Sequence, residues 1–169
     1  ATQTRPDTAE AHDTFPINGT DHFEFLVGNA KQAAHFYRTA FGFQLVAYRG
    51  PETGERETCS YVVQQDKIRF VLTSAYDPDH WVSQHVRQHG DGVKDIALWV
   101  DDVREAFRLA VERGAKPWRE PRVSEDAHGR VITASFCTYG DTVHTLVERS
   151  DYTGPFLPGF EPRSSDMTT

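Results

Sequence analysis

Six side chains carry the chemistry this sequence could perform at a site: His22, Glu24, Arg69, Asp95, Trp99 and Thr145. Strand alternation puts them on one side of their segments, away from the helices. His22 with Asp95 and Glu24 comes nearest to a metal-binding set. A mononuclear non-haem iron site, however, wants two imidazoles and one carboxylate on one side of the ion. The second imidazole is missing here. The set therefore reads as a satisfied polar cluster in which Arg69 neutralises a carboxylate, and no catalytic residue and no metal ligand emerges from it.

The remaining reactive types read as structural. His85 and His89 stand at i, i+4 beside His80, but without the acidic partner of an HExxH arrangement they suit a surface or interface better than zinc. His144 falls on the helix-facing side of its strand. Cys59 and Cys137 have no local histidine motif and read as small buried hydrophobes. Gly50-Pro51-Glu52-Thr53-Gly54 is a turn, since no Lys-Ser/Thr follows to make a phosphate cradle.

The elements that must position these residues occur twice. Asp21 to Val27 is a strand by its aromatic and aliphatic content. Asn29 offers a helix N-cap with Gln32 in the capping-box position, and Ala33, Phe36, Tyr37, Ala40 and Phe41 make an apolar stripe that Gly42 closes. Asp95 to Val100, Asp102 with Glu105, the stripe Val103, Ala106, Phe107, Ala110 and Val111, and Gly114 repeat that order at one constant offset. Each helix leads into three strands: 44–49, 57–64 and 67–74 in the first unit, 116–119, 131–139 and 142–149 in the second. A short helix near 79–89 joins the units. The fold class is α+β, two βαβββ modules whose mixed sheets curl around a shared cup. Alternation sends Phe23, Phe25 and Val27 under the first helix and His22, Glu24 and Leu26 into the cup. In the second unit Ile96, Leu98 and Val100 go under the helix, leaving Asp95, Ala97 and Trp99, while Arg69 and Thr145 join them from the last strands.

Domain organisation follows: an arm over 1–14, one domain over 15–157 with modules at about 20–75 and 93–150, and a linker-like tail over 158–169. A net charge of −7 argues against nucleic acid, whose phosphates need a basic face. Two cysteines are too few for a disulfide scaffold, which favours a reducing, cytoplasmic setting, and no apolar run approaches a membrane span.

The repeat resembles the glyoxalase/vicinal-oxygen-chelate superfamily. Its metal-bearing members draw ligands from the first strand of each unit and the last strand of one, places that hold His22, Asp95 and Thr145 here. Several stretches go further. Val27-Gly28-Asn29-Ala30-Lys31-Gln32-Ala33-Ala34, the run from His89 to Ala97, and Thr138-Tyr139-Gly140-Asp141-Thr142 with His144-Thr145-Leu146-Val147-Glu148 resemble the N-terminal domain of the 4-hydroxyphenylpyruvate dioxygenase family. So does Phe156-Leu157-Pro158-Gly159. The resemblance implies a parent enzyme that turns 4-hydroxyphenylpyruvate and O2 into homogentisate and CO2 in tyrosine catabolism. It places the Fe(II), held by two His and one Glu, in a C-terminal domain that this chain lacks. No residue here matches those ligands, so no cofactor is expected on this segment. Its implied partners are that C-terminal catalytic domain and further copies in a homo-oligomer. The alternatives are the corresponding domain of a 4-hydroxymandelate synthase, or a stand-alone, metal-free module binding a small ligand in the cup.

Overall fold

The computed structural model describes Phe15 and residues 17–164; the arm expected over 1–14 lies outside the described residues, as does the tail beyond Ser164. The elements run β1 (Gly19–Leu26), α1 (Ala30–Phe41), β2 (Gln44–Arg49), β3 (Thr58–Gln65), β4 (Ile68–Ala75) and α2 (Trp81–His89). They continue with β5 (Gly92–Trp99), α3 (Val103–Glu112), β6 (Lys116–Asp126), β7 (Gly129–Cys137), β8 (Val143–Glu148) and β9 (Glu161–Pro162). The βαβββ order thus occurs twice, with α2 between.

Both long helices start as their sequences dictate. The Asn29 side chain accepts from the Gln32 amide at 3.0 Å, and Asp102 accepts from the Glu105 amide at 2.9 Å, each satisfying a donor the helix cannot. Gly42 closes α1 at a φ of 75°, which L side chains avoid. The buried face of α1 is rotated from the expected stripe: Ala30 and Ala34 are buried, whereas Phe36 and Phe41 are 55% and 57% exposed. Val103, Ala106 and Phe107 bury α3 against Ile132, Ala134 and Phe136, while Val111 at its far end is largely open.

Within each module the first strand pairs in parallel with the last, β1 with β4 and β5 with β8. The two modules do not form separate sheets. Antiparallel pairing of β1 with β5 fuses them into one curled nine-stranded sheet, ordered β6-β7-β8-β5-β1-β4-β3-β2-β9. At one edge β6 runs to Asp126, well past the expected stop at Arg119. Pro117 and Pro121 hid that extension, because proline is excluded from central strands but tolerated on an edge, and two register shifts absorb them.

The segment after β8 also departs from expectation. Gly129, at a φ of 119°, leaves room for the Asp151 carbonyl, which a Cβ there would approach to 2.0 Å. That close approach turns residues 151–160 across the concave face. Phe156 and Phe160 join Ala47, Val62 and Val71, and Leu157 touches both this cluster and that of Ala97, Val131, Val147 and Tyr152. Where the composition reads as linker from Pro158, the chain stays on the domain: Glu161–Pro162 pairs with β2, and the Arg163 amide donates to the Val46 carbonyl at 3.1 Å.

Candidate functional site

The floor of the cup is the β1–β5 seam, where Glu24 and Asp95 are register partners. Each carboxylate ends a hydroxyl relay across three strands of its own module. Thr73 donates to Glu24 at 2.8 Å and shares a 2.9 Å hydrogen bond with Ser60. Asp95 accepts from the Thr145 amide at 3.0 Å and from the Thr145 hydroxyl, which lies 2.8 Å from Ser135. The relays occupy equivalent strands of the repeat, so module symmetry is written into the polar floor. Cross-strand hydroxyl pairs of this kind are a familiar unit of sheet stabilisation.

Two β-bulges decide what else points inward. Asp21 is the extra residue between Thr20 and His22, and Lys94 the extra residue between Val93 and Asp95. A bulge breaks the period of two, so neighbouring side chains can both reach the interior. Asp21 and His22 are both buried, as are Lys94 and Asp95. His22 Nδ1 lies 2.7 Å from Asp21 Oδ1, and Arg149 donates from a terminal nitrogen to the same oxygen at 2.7 Å. Arg149 Nε sits 2.6 Å from Asp21 Oδ2 in ion-pair contact, out of hydrogen-bond alignment, and Arg69 stands 3.8 Å from Oδ1. Both guanidinium groups lie 5.6 Å from the centre of the Phe156 ring, which His22 meets edge-on at 5.0 Å.

The two buried aspartates respond oppositely to this surrounding. Burial pushes Asp21 up, but the hydrogen bond and charge of His22 and the charge of Arg149 outweigh it and hold the carboxyl below its ordinary range. Burial pushes Asp95 up, neighbouring Glu24 adds to that, and the Thr145 hydrogen bonds offset only part, so its carboxyl lies above the ordinary range. Ionised Asp95 therefore opposes folding. Its contribution worsens as pH rises from the unfolded value, about 3.9, to the raised folded value, and is constant above. We expect Asp95→Asn to be at least as stable as the parent at pH 7 in urea titration, with an advantage that shrinks on acidification. An advantage that grew on acidification would contradict the assignment.

The expected site residues are only partly brought together. His22, Glu24, Asp95 and Thr145 meet along the concave face, and Arg69 reaches it through Asp21. Trp99 does not join them. It sits at the exposed end of β5, 44% open, opposite Gly19. His144 bonds through Nδ1 with the Ile96 carbonyl at 3.0 Å. Asp21, Arg149, Thr73, Ser60 and Phe156 were missed. The first two depend on a bulge, and the last lies beyond the final strand of the repeat, where periodicity gives no face to read.

These donors do not fit a facial iron triad. Only one imidazole stands among them where the triad needs two, and both carboxylates already accept hydroxyl hydrogen bonds. Among the described residues, the one group of three or more His, Cys, Asp or Glu whose ligating atoms converge lies elsewhere, at His85, His89 and Asp141. What remains of the cup is two adjoining lobes of about 270 and 230 Å³ that share Glu24, Arg49, Asp95, Arg119 and Thr145. Each alone is smaller than the roughly 300–1,000 Å³ usual for small-molecule sites, but as one adjoining space they fall within it.

Duplicated βαβββ modules fused through their first strands around a polar cup define a class, and a family model matches accordingly. The chain belongs to the glyoxalase/bleomycin resistance protein/dioxygenase superfamily, matched over residues 19–148. Within it, the chain is 47% identical over 152 residues to a 4-hydroxyphenylpyruvate dioxygenase of Yarrowia lipolytica, covering 88% of this chain and 39% of that protein. A 4-hydroxyphenylpyruvate dioxygenase of Danio rerio is 51% identical over 142 residues, covering 83% and 36%. Among solved structures, a variant of 4-hydroxymandelate synthase from Streptomyces coelicolor superposes with a TM-score of 0.78 at 30% identity, covering 91% of this chain and 44% of that one. The chain spans about two fifths of the length of these relatives.

Proposed function

We propose that this chain is the N-terminal, non-catalytic domain of a 4-hydroxyphenylpyruvate dioxygenase-like enzyme. One observation carries the reading: nearly all of the chain matches, at close to half identity, a stretch that makes up only about two fifths of those dioxygenases. The cup supports it, because both of its floor carboxylates are engaged by structural hydroxyls. The parent reaction is the conversion of 4-hydroxyphenylpyruvate and O2 to homogentisate and CO2, with Fe(II) held by the C-terminal domain. The role of this domain is then architectural: it covers the catalytic domain and contributes to contacts between copies of a cytoplasmic homo-oligomer. In line with this, no helix of the described residues is long and apolar enough to cross a membrane, and the net charge of −7 gives no basic face for nucleic acid.

An oxygen electrode tests the proposal. This chain, supplied with Fe(II), ascorbate and 4-hydroxyphenylpyruvate, is expected to consume no oxygen above the protein-free control. Substrate-dependent uptake with homogentisate as product overturns the non-catalytic assignment.

A further inference from the structure

His85 and His89 lie one turn apart at the end of α2, with ring centroids separated by 4.5 Å. In sequence they have no acidic partner. The fold supplies one from the turn between β7 and β8: Asp141 Oδ2 is 2.8 Å from His89 Nε2. One ligand atom from each of the three residues falls within 4.8 Å of the others. From these positions we propose that His85, His89 and Asp141 form a binding site for a borderline divalent transition metal of the zinc type, outside the cup.

The geometry requires little change. Zinc bonds of about 2.0–2.1 Å set ligand atoms of a tetrahedral site roughly 3.3 Å apart. One pair is already closer than that, and the widest must close by about 1.5 Å, which rotation of partly exposed side chains can provide. A solvent molecule completes the coordination.

Asp141 is held independently of the metal. The Lys94 ammonium donates to its main-chain carbonyl, and the Thr142 amide donates to the Tyr139 carbonyl at 3.2 Å, closing the turn. The turn that carries the carboxylate is thereby held from the backbone, and Oδ2 faces His89. The carbonyl end of α2 adds a partial negative charge beneath the two imidazoles. Lys94 opposes this with a full positive charge nearby. That balance selects among cations: a hard ion held by charge alone, such as Mg2+, gains little beside an ammonium, whereas imidazole donation favours zinc, cobalt or nickel.

Occupancy would tie the helix that joins the modules to a turn of the second module, a link otherwise resting on the His89–Asp141 hydrogen bond. The inference stands apart from the proposed function, since none of its three ligands lines the cup.

Calorimetry on chelator-treated chain with ZnCl2 tests it. One saturable equivalent is expected, and His85→Ala, His89→Gln and Asp141→Asn should each weaken it by about tenfold or more, the lower bound set by the 10–100-fold loss on removing even a supporting group. Unchanged circular dichroism, expected for positions that are half-buried (His85) or exposed (His89, Asp141), shows that the variants fold. CoCl2 should give the absorption bands of low-coordinate Co(II) in the parent and lose them in His89→Gln. Absence of saturable zinc binding, binding unaffected by the three substitutions, or equal affinity for MgCl2 overturns the proposal.

Discussion

Asp21→Asn is expected to lower the unfolding free energy by about 3 kcal/mol or more, the range for stripping a buried charge of its partner. The substitution preserves shape and removes one negative charge whose side chain is only 3% exposed. That charge faces His22, Arg149 and Arg69 together. Without it, two largely buried guanidinium groups near Phe156 are left with no shared carboxylate. Urea titration at pH 7 reads the loss directly. If stranded cations are the cause, Arg149→Met should restore part of the stability when combined with Asp21→Asn, giving a coupling energy well outside additivity. The pH dependence has a definite sign. The Asp21 carboxyl lies below its unfolded value, so its contribution is present above about pH 3.9 and is lost as pH falls through the lower folded value. A loss under about 1 kcal/mol at pH 7 would mean that solvent already screens the cluster.

Phe156→Ala should cost about 3–5 kcal/mol, as full truncation of a core phenylalanine does. The ring is 1% exposed and serves four neighbours at once. It meets Phe160 edge-on at 4.9 Å, meets His22, and lies 5.6 Å from each of the Arg69 and Arg149 guanidinium groups. It is also the anchor that draws the chain after β8 across the cup. Hydrogen exchange gives a local readout beside the global one. The Arg163 amide, bonded to Val46, should exchange faster in the variant by more than the global loss explains, because Phe156 and Phe160 hold that strand in place. Exchange at Arg163 that follows global unfolding alone would place the anchor elsewhere.

The duplicated unit was legible because its signals are local. A cap such as Asn29 or Asp102 satisfies an amide three residues away, and Gly42 ends a helix by its own backbone freedom. No tertiary contact is needed to write these rules, so they survive in the chain order. The strand faces were legible in the same way, and Phe25 does pack with Tyr37 and Phe70 beneath α1. The polar positions were readable only as far as alternation held. At Asp21 and Lys94 it did not, since a bulge adds one residue without any mark in composition.

By itself, then, the sequence determined the α+β class, the two βαβββ modules and the helix boundaries. These follow from side-chain periodicity and capping, which act over a few residues. Only the tertiary structure decided that β1 and β5 fuse the modules into one sheet, that Asp21 rather than Glu24 or Asp95 takes Arg149, and that Phe156 fills the cup. It alone brought Asp141 to His89. Each of these joins residues far apart in the chain, and each is fixed by which surfaces must be buried together and which charges must then be paired.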